Sequence, residues 1–213
     1  FLENLFNPLD SLDDVKRLVD DVRKRKYLEV ASVEVLEDVL DPLPPFNLPD
    51  LQYEAFRIYG FSPSKTLSIA EGLYLDSLIS YPRTNSQKLP KTLDNRSIIS
   101  NIAKIKEYNV LAKELLSKKR LVPVEGVRDD PAHPAIYPTG YQPRNDLSRD
   151  SVRLYDLIVR RYLASFADPV KVRKCKYFIK FSKLKFSLSS SEVISTGWLR
   201  YYPFYRIITR RVP

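Results

Sequence analysis

Four prolines fall within the ten residues "DPLPPFNLPD", Asp41 to Asp50. Each proline fixes φ and removes an amide donor, so no helix interior or central strand can run through this stretch. The chain must change character here, and the reading places a domain boundary at about residue 41. Upstream, "DSLDDVKRLVDDVRKRKYL" reads as a helix capped by Asp10 or Ser11, with acids in its first turn and bases in its last. Leu12, Val15, Val19 and Val22 share one face, which makes the charges a solvated side. The valine-rich alternation of "YLEVASVEVLEDVL" then predicts a long strand.

Downstream the periodicity becomes helical. Leu51, Ala55 and Ile58 make one face that Gly60 stops; Ser62 caps and Pro63 opens a second helix running towards Tyr74, and "LISY" follows as a strand. Two short helices, a tight turn and a strand are the pattern of a winged helix-turn-helix. "SIISNIAKIKEYNVLAKELLSKK" predicts one amphipathic helix, and "LSRDSVRLYDLIVRRYLASF" another with Ser148 as cap. "KCKYFIKF" and "LKFSLSSSEVIS" alternate, with a phase shift near Ser182 and Lys183 that a two-residue hairpin turn requires, and "YYPFYRIITRRVP" is still strand-like. Strands thus flank a helical middle, which predicts an α+β protein with a helical domain inserted into a β domain.

Length and charge narrow the function classes. With 213 residues, 44% of them hydrophobic, the chain can bury one sizeable core or two smaller ones. Its net charge of +9 fits a polyanionic partner such as nucleic acid, and on charge alone a merely basic surface fits as well. The single cysteine, Cys175, and the single histidine, His133, exclude an internal disulfide and a Cys/His zinc site, which suits a reducing, cytoplasmic setting. No apolar run approaches the roughly 18 residues of a membrane helix. The chain opens with Phe1 and contains no methionine, so it is expected to be a piece of a longer protein.

Two constellations carry chemistry. In "SYPRTNSQKLP", Tyr81 and Arg83 are two residues apart, so on an extended chain they point to one face. A phenol attacking a phosphodiester must lose its proton, and an adjacent guanidinium stabilises both phenolate and transition state. Thr84, Asn85, Ser86 and Gln87 add neutral donors. With 14 tyrosines in the chain, an ordinary packed aromatic is the alternative for Tyr81. The second constellation, "DDPAHPAIYPTG", holds His133 between two X-Pro steps, with Thr139 nearby. A lone histidine is commonly structural; the rigid loop makes a phosphate contact equally open. Ser62, Ser64, Lys65 and Thr66 at a helix start suit a phosphate, or simple capping.

From about Tyr27 onwards, the two motifs in this order, together with the closing "GWLRYY", closely resemble the central region of type IA DNA topoisomerases of archaeal type. The resemblance implies that Tyr81 is the nucleophile that cleaves one DNA strand and holds its 5′ phosphate, that Arg83 positions and neutralises that phosphate, and that His133 contacts DNA at the cleavage site. Thr139 is given a supporting role; Lys65, Ser86, Lys88 and Lys91 are further candidate DNA contacts. Residues 1–41 and 171–213 would form the β arch around the strand-passage hole, and residues 42–170 the inserted tyrosine domain with its winged-helix-like unit. The family completes its site with a Toprim domain that binds Mg2+. No D-x-D pair replaces it in this chain, so the chain alone is expected to bind single-stranded DNA without cleaving it. The parent would be an ATP-independent, cytoplasmic, nucleoid-associated enzyme whose partners are DNA and the rest of its own chain. The rival readings are a non-catalytic winged-helix DNA-binding module and a purely structural domain.

Overall fold

A computed structural model describes residues 3–4, 11–24, 29–130, 132–144, 146–181 and 184–210. The chain divides into two compact units: one from Phe1–Leu40, Lys171–Ser195 and Ile207–Pro213, the other from Asp41–Val170 and Thr196–Arg206. Both helices and strands are present, as the sequence predicts.

The first unit contains β1 (Glu3–Asn4), α1 (Leu12–Lys24), β2 (Val30–Leu40), β3 (Val170–Phe181) and β4 (Leu184–Ser195). These strands form one sheet in the order β1-β4-β3-β2. The long strands β3 and β4 run antiparallel with Phe181 opposite Leu184. That register suits a two-residue connection, although Ser182 and Lys183 themselves lie outside the described residues. Ile179 and Phe186 form a small core on which Leu18 and Val22 of α1 pack. Leu12, Val15 and Val19 are exposed, so the apolar face of α1 is the Leu18 and Val22 pair, four residues apart, rather than the stripe read from the sequence. Asp14 donates its amide to Ser11 Oγ, as capping requires. On β3, Arg173 reaches Glu37 of β2 and Glu192 of β4, which ties three strands across the sheet.

The second unit holds α2 (Leu48–Tyr59), α3 (Pro63–Leu75), α4 (Asn95–Ile102), α5 (Asn109–Leu116) and α6 (Arg149–Ala164). The proline-rich stretch stays irregular to Asn47, where its last proline opens α2 under the Asn47 cap. Gly60 ends α2 in the left-handed conformation, and Ser62 caps α3 through the Lys65 amide. Ser148 caps α6, whose buried residues run from Leu154 to Ala164 and form the unit's spine.

Three expectations are corrected. The single helix foreseen from Ser97 onwards is two, because Asn109 Nδ2 donates to Ala103 O and Tyr108 OH to Asp156; these bonds hold a turn that lets Ile98, Ile99 and Ile102 pack separately from Ala112 and Leu115. "LISY" is no strand but a single bridge, Ile79 to Pro138, since the prolines on both sides interrupt further pairing. The closing "YYPFYRIITRRVP" is not a strand: it follows a short 3-10 helix, Gly197–Arg200, its Tyr201 and Tyr202 are buried with Trp198 in the helical unit, and among the described residues its one bridge is Arg210 to Ser191. Gly197 starts that turn at φ +42°, where a Cβ would press on the carbonyl oxygens of Asp168 and Pro169.

Candidate functional site

The two motifs meet because their backbones are laced together. Ser80 N donates to Tyr137 O at 2.9 Å and Thr139 N to Leu78 O at 3.0 Å. Ser80 Oγ donates to Ala135 O and accepts from Tyr137 N, so one hydroxyl spans both strands of the crossing. Thr84 Oγ1 donates to His133 O at 2.6 Å, and Ala135 N donates to Lys88 O at 2.9 Å. Rigid X-Pro backbone supplies few donors of its own, so these side-chain bonds set where His133 sits.

Burial along the first motif alternates. Tyr81, Arg83 and Asn85 are exposed, whereas Pro82, Thr84 and Ser86 are buried. Tyr81 and Arg83 therefore share the outward side, as their spacing predicts. Tyr81 is 40% exposed, as are several other aromatics of this unit such as Tyr53 and Tyr141. Its ring lies 5.9 Å from the His133 ring, which the chain reaches 52 positions later. On its other side Tyr74 of α3 meets it edge-on at 5.4 Å, an aromatic neighbour the sequence reading did not single out. The imidazole Nδ1 lies 3.4 Å from Asp130 Oδ2, and Asp130 O also accepts the His133 amide. That carboxylate orients the ring, which is about half exposed.

Arg83 is held by α3. Its Nε and Nη2 both converge on Glu71 Oε1 of α3, at 2.7 and 2.6 Å. Thr139 Oγ1 donates to Ser77 O at 2.6 Å. Ser77 sits at φ +59°, a left-handed turn that ends α3 and aims the chain towards Tyr81, and this hydroxyl bond helps hold it there. Thr139 thus supports the site from beneath.

The remaining candidates divide. Ser86 is only 1% exposed and its Oγ accepts from Lys88 N, so its hydroxyl shapes the loop instead of offering a surface contact. Lys88 pairs with Asp129 at 2.9 Å, and that hydrogen bond raises its ammonium above the ordinary lysine value. Lys65 at the start of α3 pairs with Asp150 at 2.7 Å and lies over the Phe61 ring; its hydrogen bond holds the Asp150 carboxyl below the usual range. Lys91 is exposed in the turn after the first motif. Tyr81, His133, Arg83 and Thr139 are gathered around one end of α3, whereas Lys65 sits at its opposite end. Among the described residues no three His, Cys, Asp or Glu side chains converge to hold a metal ion. No helix among them is long and apolar enough to cross a membrane.

Comparison with known proteins supplies context. A family model described as DNA topoisomerase matches residues 5–211. The DNA topoisomerase 1 of Pyrococcus horikoshii is 46% identical over 194 residues, covering 91% of this chain and 28% of that protein. That of Aeropyrum pernix is 44% identical over 200 residues, covering 91% of this chain and 29% of its own length. The solved full-length topoisomerase I from Thermotoga maritima aligns over the whole chain and 35% of its own, with a TM-score of 0.66 at 23% identity, which shows a shared fold. The chain thus spans less than a third of the length of these two curated relatives.

Proposed function

Because this chain belongs to the type IA DNA topoisomerase family, we propose that it is the part of such an enzyme that carries the attacking tyrosine. In this reading Tyr81 Oη attacks a phosphodiester of one DNA strand. A Tyr81 O–P bond forms and the P–O3′ bond breaks, leaving a 5′-phosphotyrosine and a free 3′-hydroxyl. The phenolic proton leaves to a base, and the departing 3′-oxygen takes one up; religation reverses each transfer. Arg83 offers the guanidinium that balances charge developing on the phosphoryl oxygens, and His133 offers an imidazole donor to the same phosphate. Lys88 and Lys91 would guide the flanking backbone. The observation that carries this reading is the exposed Tyr81 ring set 5.9 Å from the imidazole of the distant second motif.

Magnesium, which the family resemblance implies, has no fitting ligand group among the described residues. It would belong to a Toprim domain elsewhere in the parent chain. The α2–α3 pair with its Gly60 turn would act as a helix-turn-helix-like unit within the tyrosine domain, and the β3–β4 sheet as part of the arch around the passing strand. In cells such a parent would work on DNA in the cytoplasm, as part of the nucleoid.

The test compares full-length parent enzyme with its Tyr81→Phe variant. Single-stranded DNA binding is expected to stay within about threefold, because one hydroxyl contributes little to phosphate-dominated affinity, while covalent trapping disappears. Trapping that survives the substitution would favour the binding-module reading, in which Tyr81 only packs or stacks.

A further inference from the structure

We propose that Glu71 is a positioning residue that occupies the Arg83 guanidinium in place of a DNA phosphate and yields it when DNA arrives. The inference rests on the proposed function above and deepens it. Glu71 and Tyr74 stand three apart on α3, hence on one face, and Tyr81 and Arg83 stand two apart on the exposed side of the loop. The pairs match: Tyr74 touches the Tyr81 ring, and Glu71 holds Arg83. One helical face therefore engages both the nucleophile and its cation.

The geometry of the ion pair favours exchange over permanent clamping. Both donors, Nε and Nη2, lie on the guanidinium edge that a phosphate would engage as a fork, and both point at the single oxygen Oε1. The side chains of Arg83 and Glu71 are 52% and 38% exposed, so water and salt weaken the pair and an incoming phosphate oxygen has room to displace the carboxylate. A phosphate that takes this edge leaves Glu71 as a nearby anion that disfavours binding. Neutralising Glu71 then removes both a competitor and a repulsion.

The experiment titrates a short oligothymidylate into the 213-residue chain and follows the Arg83 Nε–H signal by NMR, alongside fluorescence-anisotropy binding at several salt concentrations. Glu71→Gln is expected to bind about three- to fivefold more tightly and to steepen the salt slope by about one unit, because one more cation becomes available to phosphate. Glu71→Asp, which keeps the charge, is expected to stay within about twofold of the parent chain. In an Arg83→Ala background the Glu71→Gln gain should vanish. No gain from Glu71→Gln, or a gain that persists without Arg83, overturns the proposal. If no variant binds the oligonucleotide, the DNA-binding function fails, and inorganic phosphate becomes the probe for the latch alone. An Arg83 Nε–H response at lower phosphate in Glu71→Gln than in the unsubstituted chain then supports it, and identical responses overturn it.

Discussion

Arg161 shows how much a single buried charge can organise in this chain. It is 7% exposed, donates from Nε to Pro44 O, and lies over the rings of Phe46 at 4.6 Å and Tyr202 at 5.3 Å. Burial lowers its affinity for the proton, while the nearby Tyr202 hydroxyl and the Glu54 carboxylate oppose that effect. Through these contacts one side chain of α6 fixes the proline-rich entry and the closing aromatic turn. Arg161→Met keeps the bulk but removes the charge and the bond to Pro44, while Glu54 keeps its ion pair with Arg57. It is expected to lower unfolding free energy by about 2–4 kcal/mol, measured by urea denaturation. A change under about 1 kcal/mol would mean that the rings hold the entry without the guanidinium.

Among the elements, those specified by local chemistry were legible and those specified by distant partners were not. The caps at Ser62 and Ser148, the Gly60 stop and the β3–β4 pairing all follow from residues within a turn or a strand length. The α4–α5 break depends on Tyr108 finding Asp156 of α6, 48 positions away, which no local periodicity records. Tyr81, Arg83 and His133 were legible as a group through their motifs, whereas Glu71 and Tyr74 lay hidden in an ordinary helical pattern. The burial of Ser86 was hidden for a related reason: sequence shows a donor but not the direction it faces. The loop also yields a prediction. Thr84→Val removes the hydroxyl that donates to His133 O and leaves that carbonyl to find water. It is expected to cost about 1–2 kcal/mol of stability and, in the parent enzyme, to lower single-turnover cleavage more than DNA binding, because the imidazole loses its fixed position. Equal losses in cleavage and binding would show that the bond serves folding alone.

For the molecule as a whole, the buried and half-buried tyrosines of the helical unit set its response to alkali. Burial pushes the phenols of Tyr59 and Tyr155 up to about 12, and those of Tyr108, Tyr162 and Tyr202 further up. Their folded values lie above the ordinary 10.0, so the stability they contribute is whole below pH 10 and is lost as pH rises through the folded values. Glu54 behaves in the opposite sense. Burial raises its value, but hydrogen bonds from Arg57 and Tyr202 outweigh that and leave it below 4.5, so its contribution is present above 4.5 and is lost as pH falls through the folded value. Urea midpoints are expected to fall steeply above about pH 10 and only shallowly on the acid side, where the lowered carboxyls of Glu54 and Asp150 carry the effect. A midpoint constant between about pH 10 and 12 would show that the phenols ionise without unfolding. The proposed function sets one tyrosine, of the 14 in the chain, against DNA. The direct measurement is mass-spectrometric mapping of the full-length parent after it is trapped on single-stranded DNA. The account predicts a nucleotide joined through its 5′ phosphate to Tyr81; a 3′ linkage, or an adduct on any other tyrosine, would contradict it.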